Sequence, residues 1–183
     1  MFKLIFTVLV LLPLIGNAKI DRLQNVVPGV WRGSQPTALK DFDQLQEMGI
    51  KTIINLQWDS SVENEREIAE SRGIKFINVP MKARDWPSDT DIKKIFDSLL
   101  NEKNHPVFLH CRMCKDRTGL IFALFRVEVM GWTPDKAYKE WIDFGFAHQA
   151  LHNLRKYFMA RTGYKPPAFK KCVPKLTSLY LNL

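Results

Sequence analysis

Residues 106–119 read Pro-Val-Phe-Leu-His-Cys-Arg-Met-Cys-Lys-Asp-Arg-Thr-Gly, and no other stretch restricts the possible folds of this chain as strongly. A short apolar run at 107–109 leads into a polar, cysteine-containing loop. A segment at 120–127 that is apolar on nearly every side follows. A strand that is apolar at consecutive positions is buried on both faces, and a helix that is apolar all round is buried as well. Two such elements in succession require a sheet with helices packed on it, which is an α/β arrangement.

The rest of the chain fits that requirement. Short β-branched or aromatic runs at 26–32, 51–56, 74–79 and 106–110 read as strands. They alternate with amphipathic segments at 37–48, 62–71, 89–100, 118–130, 133–144 and 147–161. Thr37 is the expected cap of the first helix, Asp89 or Thr90 of the third, and Thr133 followed by Pro134 of the fifth. The expectation is one domain over 19–162, built on a central, mostly parallel twisted sheet flanked by helices. Apolar residues make up 46% and charged residues 25%, a balance that excludes wholesale disorder.

The loop between strand and buried helix carries the chemistry. Backbone N–H groups at such a junction point inward, and the helix N-terminus adds positive potential, which together make a nest for phosphate. The same field favours a nucleophilic thiolate at Cys111. Arg117, six residues on, is placed to fold back and hold two phosphate oxygens with its planar fork, a geometry lysine lacks.

Cys-x5-Arg-Thr preceded by His resembles the signature of the cysteine-dependent phosphatases, the protein-tyrosine-phosphatase superfamily with its dual-specificity and phosphoinositide members. The resemblance runs over about 30–158 in element order. Trp31-Arg32-Gly33-Ser34-Gln35-Pro36 is similar to the early segment of compact dual-specificity members. The resemblance implies that fold and a phosphocysteine intermediate on Cys111, with Arg117 and the loop amides of Arg112, Met113, Cys114, Lys115 and Asp116 around the phosphoryl oxygens. Thr118 would hydrogen-bond Cys111 and ease its departure, and His110 would orient the loop from beneath. No metal or cofactor is implied. The general acid of the family is an aspartate on a movable loop, here 81–89, where Asp85 is the first candidate and Asp116 the other, Asp89 being read as a cap.

Lys82, Arg84, Arg112, Lys115 and Arg117 gather positive charge on the two loops, within a chain of net charge +8, and point to a small polyanionic substrate. Residues 86–92 resemble the lid segment of the protein-tyrosine-phosphatase-like phytases, which act on inositol hexakisphosphate, while Lys115-Asp116-Arg117 resembles bacterial phosphoinositide phosphatases. The order of expectation is inositol polyphosphate, then phosphoinositide lipid, then phosphotyrosine. Cys114, where many members carry glycine, and Asp116, where the phytases usually do, depart from the pattern.

Residues 1–18 have the short basic start, apolar stretch and Gly16-Asn17-Ala18 ending of a cleaved signal peptide. The mature chain is therefore expected to be exported, periplasmic or secreted, with a basic tail from 163. Three cysteines, Cys111, Cys114 and Cys172, are too few for a disulfide framework. Cys111-x-x-Cys114 also has the spacing of a thiol–disulfide oxidoreductase, and a milder reading is a reversible regulatory disulfide within the loop. Trp132, Tyr138, Trp141, Phe144 and Phe146 follow helical spacing as core residues, which argues against a nucleic-acid surface. No stretch after residue 18 is apolar and long enough for stable membrane insertion, and a monomer is expected.

Overall fold

Each of the five strands is only four residues long: β1 (Gln24–Val27), β2 (Val30–Gly33), β3 (Thr52–Asn55), β4 (Lys75–Asn78) and β5 (Val107–His110). The computed structural model describes residues 20–166; the expected signal segment, Cys172 and most of the basic tail lie outside them. The strands form one sheet in the order β1-β2-β5-β3-β4, parallel throughout except for the antiparallel pair β1–β2. The fold is thus the single α/β domain with a mostly parallel sheet.

The 26–32 segment is two strands rather than one. Pro28 has no N–H to give a ladder and Gly29 takes φ +79, so the chain reverses between Val27 and Val30, which pair with each other.

Helices α1 (Leu39–Glu47) and α2 (Ser61–Ser71) cover one face of the sheet, where Phe42, Leu45 and Ala69 meet Ile53, Phe76 and Phe108. Helices α3 (Asp89–Leu100), α4 (Arg117–Glu128), α5 (Pro134–Asp143) and α6 (His152–Thr162) cover the other, against Val30, Ile54, Val107 and Leu109. Alternation along β5 sends Phe108 to one side and its neighbours to the other. Helix α4 is buried from Arg117 to Arg126, as an all-apolar helix must be, because α5 and α6 enclose its outer side.

Two expected caps are replaced. Asp41 Oδ2 accepts from the N–H of Thr37 and of Ala38, each at 2.9 Å, so the Thr37 side chain is not the cap of α1. At α3 the cap is Ser88, whose hydroxyl accepts from Asp91 N at 3.3 Å. Asp89 is thereby free to point at α6. Thr133 caps α5 as expected, accepting from Lys136 N, with Pro134 in the first turn.

Register brings the site together. His110 of β5 pairs with Gly33 of β2 and Asn55 of β3, and Asn55 pairs with Asn78 of β4. The carboxyl ends of four parallel strands therefore finish level, and the loops after them converge at the edge where open α/β sheets bind ligands.

Candidate active site

The loop after β5 occupies the centre of that edge, with residues 112–116 between the end of the strand and the first turn of α4. Asp116 at the start of α4 caps nothing with its side chain, so the first-turn N–H groups keep the positive end of the helix open toward the loop. Cys111 is 2% exposed at the bottom of this cradle.

Arg117 lies in the first turn of α4 and is 8% exposed. Its Nη1 donates to Leu56 O at 3.1 Å and Met81 O at 3.0 Å, the carbonyls that follow β3 and β4. These two bonds fix the guanidinium plane. Its Nε and Nη2 edge makes no hydrogen bond among the described residues, and this edge has the spacing of a bidentate oxyanion clamp.

Behind the loop runs a chain of buried polar groups. His110 Nδ1 lies 3.2 Å from Cys111 O, and its Nε2 lies 2.6 Å from Glu65 Oε1, a close polar contact whose alignment falls short of a hydrogen bond. Gln35 Nε2 donates to the other carboxylate oxygen of Glu65 at 3.1 Å, and Gln57 Nε2 donates to Gln35 Oε1 at 2.9 Å. Gln35 N also donates to Arg112 O at 3.2 Å. His110 thus lies between the loop and buried partners on α2 and the β2–α1 and β3–α2 connections.

Cys114 has φ +61, a left-handed conformation that costs a side-chain-bearing residue about 1 kcal/mol or more. Arg32 of β2 meets it from below: Nε donates to Cys114 Sγ at 3.3 Å and Nη2 to Cys114 O at 2.9 Å. The Arg32 guanidinium carbon stands 3.6 Å from the centre of the Phe144 ring. Burial pushes the Cys114 thiol up to about 11, against the smaller opposing pull of Arg32. Both Cys111 and Cys114 are free thiols.

Trp141 Nε1 donates to Lys115 O at 2.9 Å and packs where a Cβ on Gly119 would lie 2.3 Å from it, so only glycine fits at 119. Asp116 Oδ1 accepts from Ala147 N at 3.1 Å, tying the loop to the α5–α6 connection. Its carboxylate is therefore occupied by a backbone donor, rather than by charge pairing within the loop. The expected bond from Thr118 to Cys111 is not made: Thr118 Oγ1 is buried with no partner among the described residues, so its hydroxyl is held ready in the first turn of α4.

The loop after β4 reaches Arg117 through Met81 O and roofs a neighbouring cleft, whose lining includes no residue of 111–117. This cleft of about 260 Å³ is lined by Asp85, Lys82, Met81 and Pro87, with Trp58 and Trp86 on its walls, each 56% exposed. Asp85 is exposed there, in a turn closed by Asp85 N donating to Lys82 O. Lys82 Nζ lies 5.3 Å from the Trp58 ring centre. Both ends of the roof are tied to α6. Asn153 Nδ2 donates to Arg84 O; Tyr157 OH and Arg161 Nη1 donate to Asp89 Oδ1, and Trp86 sits edge-on to Tyr157 at 5.5 Å.

Of the five expected cations, Lys82 lines the cleft and Arg112 is exposed on the central loop. Arg84 lines no part of the cleft, and the Lys115 stem runs toward Gly145 instead. The sequence reading missed Arg32, Gln35, Gln57, Trp58, Asp59 and Glu65. Asp59 accepts from Ser61 and is held below the usual carboxylate range by that bond, with Arg112 and Arg117 adding to the pull. An arginine inside a strand and a glutamate four residues before Ala69, on the buried stripe of α2, were the available signals.

Comparison with known proteins shows the family and the fold. Residues 19–165 match the tyrosine phosphatase family. Inositol diphosphatase DSP4 of Arabidopsis thaliana is 29% identical over 139 residues, covering 69% of this chain and 65% of the relative. Dual specificity protein phosphatase TpbA of Pseudomonas aeruginosa is 27% identical over 128 residues, covering 69% and 56%. The chain therefore spans somewhat under two thirds of the length of these relatives. The crystal structure of TpbA superposes with a TM-score of 0.64 at 23% identity, covering 75% of this chain and 83% of that one. The catalytic core of the PP-IP phosphatase SIW14 from S. cerevisiae superposes with 0.66 at 22% identity, covering 80% and 96%. These two structures share the fold. The strand, loop and buried helix that the sequence singled out lie within the matched span, and the chain belongs to the tyrosine phosphatase family.

Proposed function

We propose that this chain hydrolyses phosphate monoesters through a phosphocysteine on Cys111 and that inositol polyphosphates are its substrates. The observation that carries the mechanism is the fixed Arg117, whose Nη1 is bound to two carbonyls while its Nε and Nη2 make no hydrogen bond among the described residues. In the first step the Cys111 thiolate forms a bond to phosphorus as the ester P–O bond breaks, and Asp85 gives its proton to the leaving oxygen. Arg117 and the loop amides hold the three remaining oxygens. In the second step a water gives its proton to the Asp85 carboxylate and its oxygen to phosphorus. The S–P bond breaks, and the departing thiolate accepts the Thr118 hydroxyl as a hydrogen-bond donor. Water thus supplies the fourth phosphate oxygen, and the enzyme returns to its starting state.

Lys82 and Arg112 support a polyphosphorylated substrate. Both are exposed on the loops that flank Arg117, and neither makes an ion pair among the described residues. Relatives named inositol diphosphatases from Arabidopsis thaliana and rice point the same way. The two exposed tryptophans favour a second reading, in which a phosphotyrosine ring sits between Trp58 and Trp86. Phosphate release from inositol hexakisphosphate, a soluble phosphoinositide and a phosphotyrosine peptide, compared at equal concentration with a Cys111→Ser control, separates these. Fastest turnover of the inositol hexakisphosphate supports the proposal, and fastest turnover of the peptide replaces the substrate while keeping the mechanism.

We also propose export with removal of 1–18, supported by the order of basic, apolar and small residues there, and action as a monomer. An N-terminus starting before Lys19 in protein recovered from its producing cell argues against the first; a dimer mass by light scattering argues against the second.

A further inference from the structure

Arg32 is a buried cation with no acidic partner among the described residues, and it lies under a loop built to receive an anion. Burying a guanidinium is costly unless its hydrogen bonds are met. Its two mapped acceptors belong to one residue, Cys114, and its flat face is covered by Phe144 at 3.6 Å and Phe122 at 5.1 Å. The one side-chain-bearing loop residue in a left-handed conformation is that same Cys114. A loop whose N–H groups converge on an anion needs such a turn, which glycine takes without strain and cysteine does not.

We propose that Arg32 is a positioning residue for the phosphate loop: its fork holds Cys114 by sulfur and carbonyl in the left-handed turn that aims the loop amides inward. Gripping both the backbone and the side chain of one residue fixes its torsion, which a single hydrogen bond does not. Cys114 is used here as an acceptor rather than as a reactive thiol. The guanidinium also brings a positive charge beneath the bound phosphate without touching it. Arg32 differs in this from Arg117, which faces the substrate. The inference rests on the phosphohydrolase reading for its kinetic readout alone.

The test is a cycle of Arg32→Lys, Arg32→Met, Cys114→Gly and the two double variants. Each is assayed for kcat and KM on p-nitrophenyl phosphate and, in a Cys111→Ser background, for tungstate affinity by calorimetry. Lysine keeps the charge and loses the fork. Arg32→Lys is expected to lower kcat and tungstate affinity by about tenfold, as misdirected donors do. In the Cys114→Gly background the same change is expected to cost less than about threefold, since glycine holds the turn unaided. Equal losses in the two backgrounds overturn the inference, as does unchanged tungstate affinity in Arg32→Lys. If Arg32→Met does not fold, the lysine pair still decides the matter. If the unaltered chain hydrolyses no ester, the phosphohydrolase reading falls. The crystal structure of Arg32→Lys then reads the torsion directly: loss of the positive φ at residue 114 sustains the inference, and its retention defeats it.

Discussion

Nε2 of His110 and Oε1 of Glu65 lie 2.6 Å apart with both side chains closed to solvent. One belongs to the strand that carries the loop and the other to α2 across the sheet edge. Glu65 also accepts from the half-buried Gln35 Nε2, which keeps Ser61 Oγ as a second acceptor at 3.1 Å, so removing Glu65 leaves His110 Nε2 as the one buried group of the pair with nothing opposite it. Glu65→Ala is expected to destabilise the fold by about 1–3 kcal/mol, the cost of one abandoned buried group. Thermal unfolding measures the loss, and an unchanged midpoint would mean that water takes over the His110 contact.

Arg117→Lys removes the second arm of the clamp while keeping the charge. Nη1 holds two carbonyls, and a lysine that made those bonds would have no planar edge left for phosphate. A fall in kcat of about 10²–10³ is expected, the usual cost of one lost transition-state donor. Circular dichroism should be unchanged. A variant that keeps full kcat would move the clamp elsewhere.

The two aspartate candidates separate by what they touch. Asp85 is exposed in the cleft, whereas Asp116 accepts from Ala147 N. Asp85→Asn should flatten the limb of the pH–rate profile that reports the protonated acid. Asp116→Asn keeps an acceptor for Ala147 and should leave that limb in place. The reverse pattern transfers the acid role to Asp116.

Gly119→Ala places a methyl 2.3 Å from Trp141 Nε1, and the indole must give way. Overpacking of this kind costs about 1–3 kcal/mol. The displaced ring also releases Lys115 O, so kcat should fall together with stability. Retained kcat at a lower unfolding temperature would show that the loop does not depend on Trp141.

The Cys114 thiol, pushed up to about 11 by burial against an ordinary value of 9.0, gives two pH effects. Its contribution to stability is complete below pH 9 and lost as pH rises toward 11, because the unfolded chain releases the proton first. The loss is about 2–3 kcal/mol and should be absent in Cys114→Ala. Peroxide-treated protein should form the Cys111–Cys114 disulfide slowly at pH 7 and roughly tenfold faster per pH unit above it, since only the thiolate attacks. Mass spectrometry reads both; a sulfonic acid on Cys111 with Cys114 untouched at every pH rules out the pairing.

What the sequence disclosed and what it hid divide along contact range. Cys111, Arg117, Thr118 and the buried α4 lie within one local stretch, so spacing and apolar periodicity were enough to find them. Arg32 and Cys114 meet across a separation of 82 residues, because β5 inserts between β2 and β3. No local pattern reports that insertion. Ser88 displaced Asp89 as the cap of α3 for a similar reason: Tyr157 and Arg161, far along the chain, claim the Asp89 carboxylate. The core aromatics were legible in part. Trp141 and Phe146 are buried as their spacing implies, while Phe144 turns to cover Arg32, whose burial nothing nearby in sequence announces.

The ties from Asn153 to Arg84 and from Tyr157 to Asp89 have a mechanical consequence. With both ends pinned to one helix, residues 85–88 behave as a strap of fixed length, and Asp85 travels only as far as that strap allows. Each residue inserted there adds at most about 3.5 Å of reach. On the proposed mechanism, strap length, more than strap composition, would then set how large a phosphate ester Asp85 can close upon.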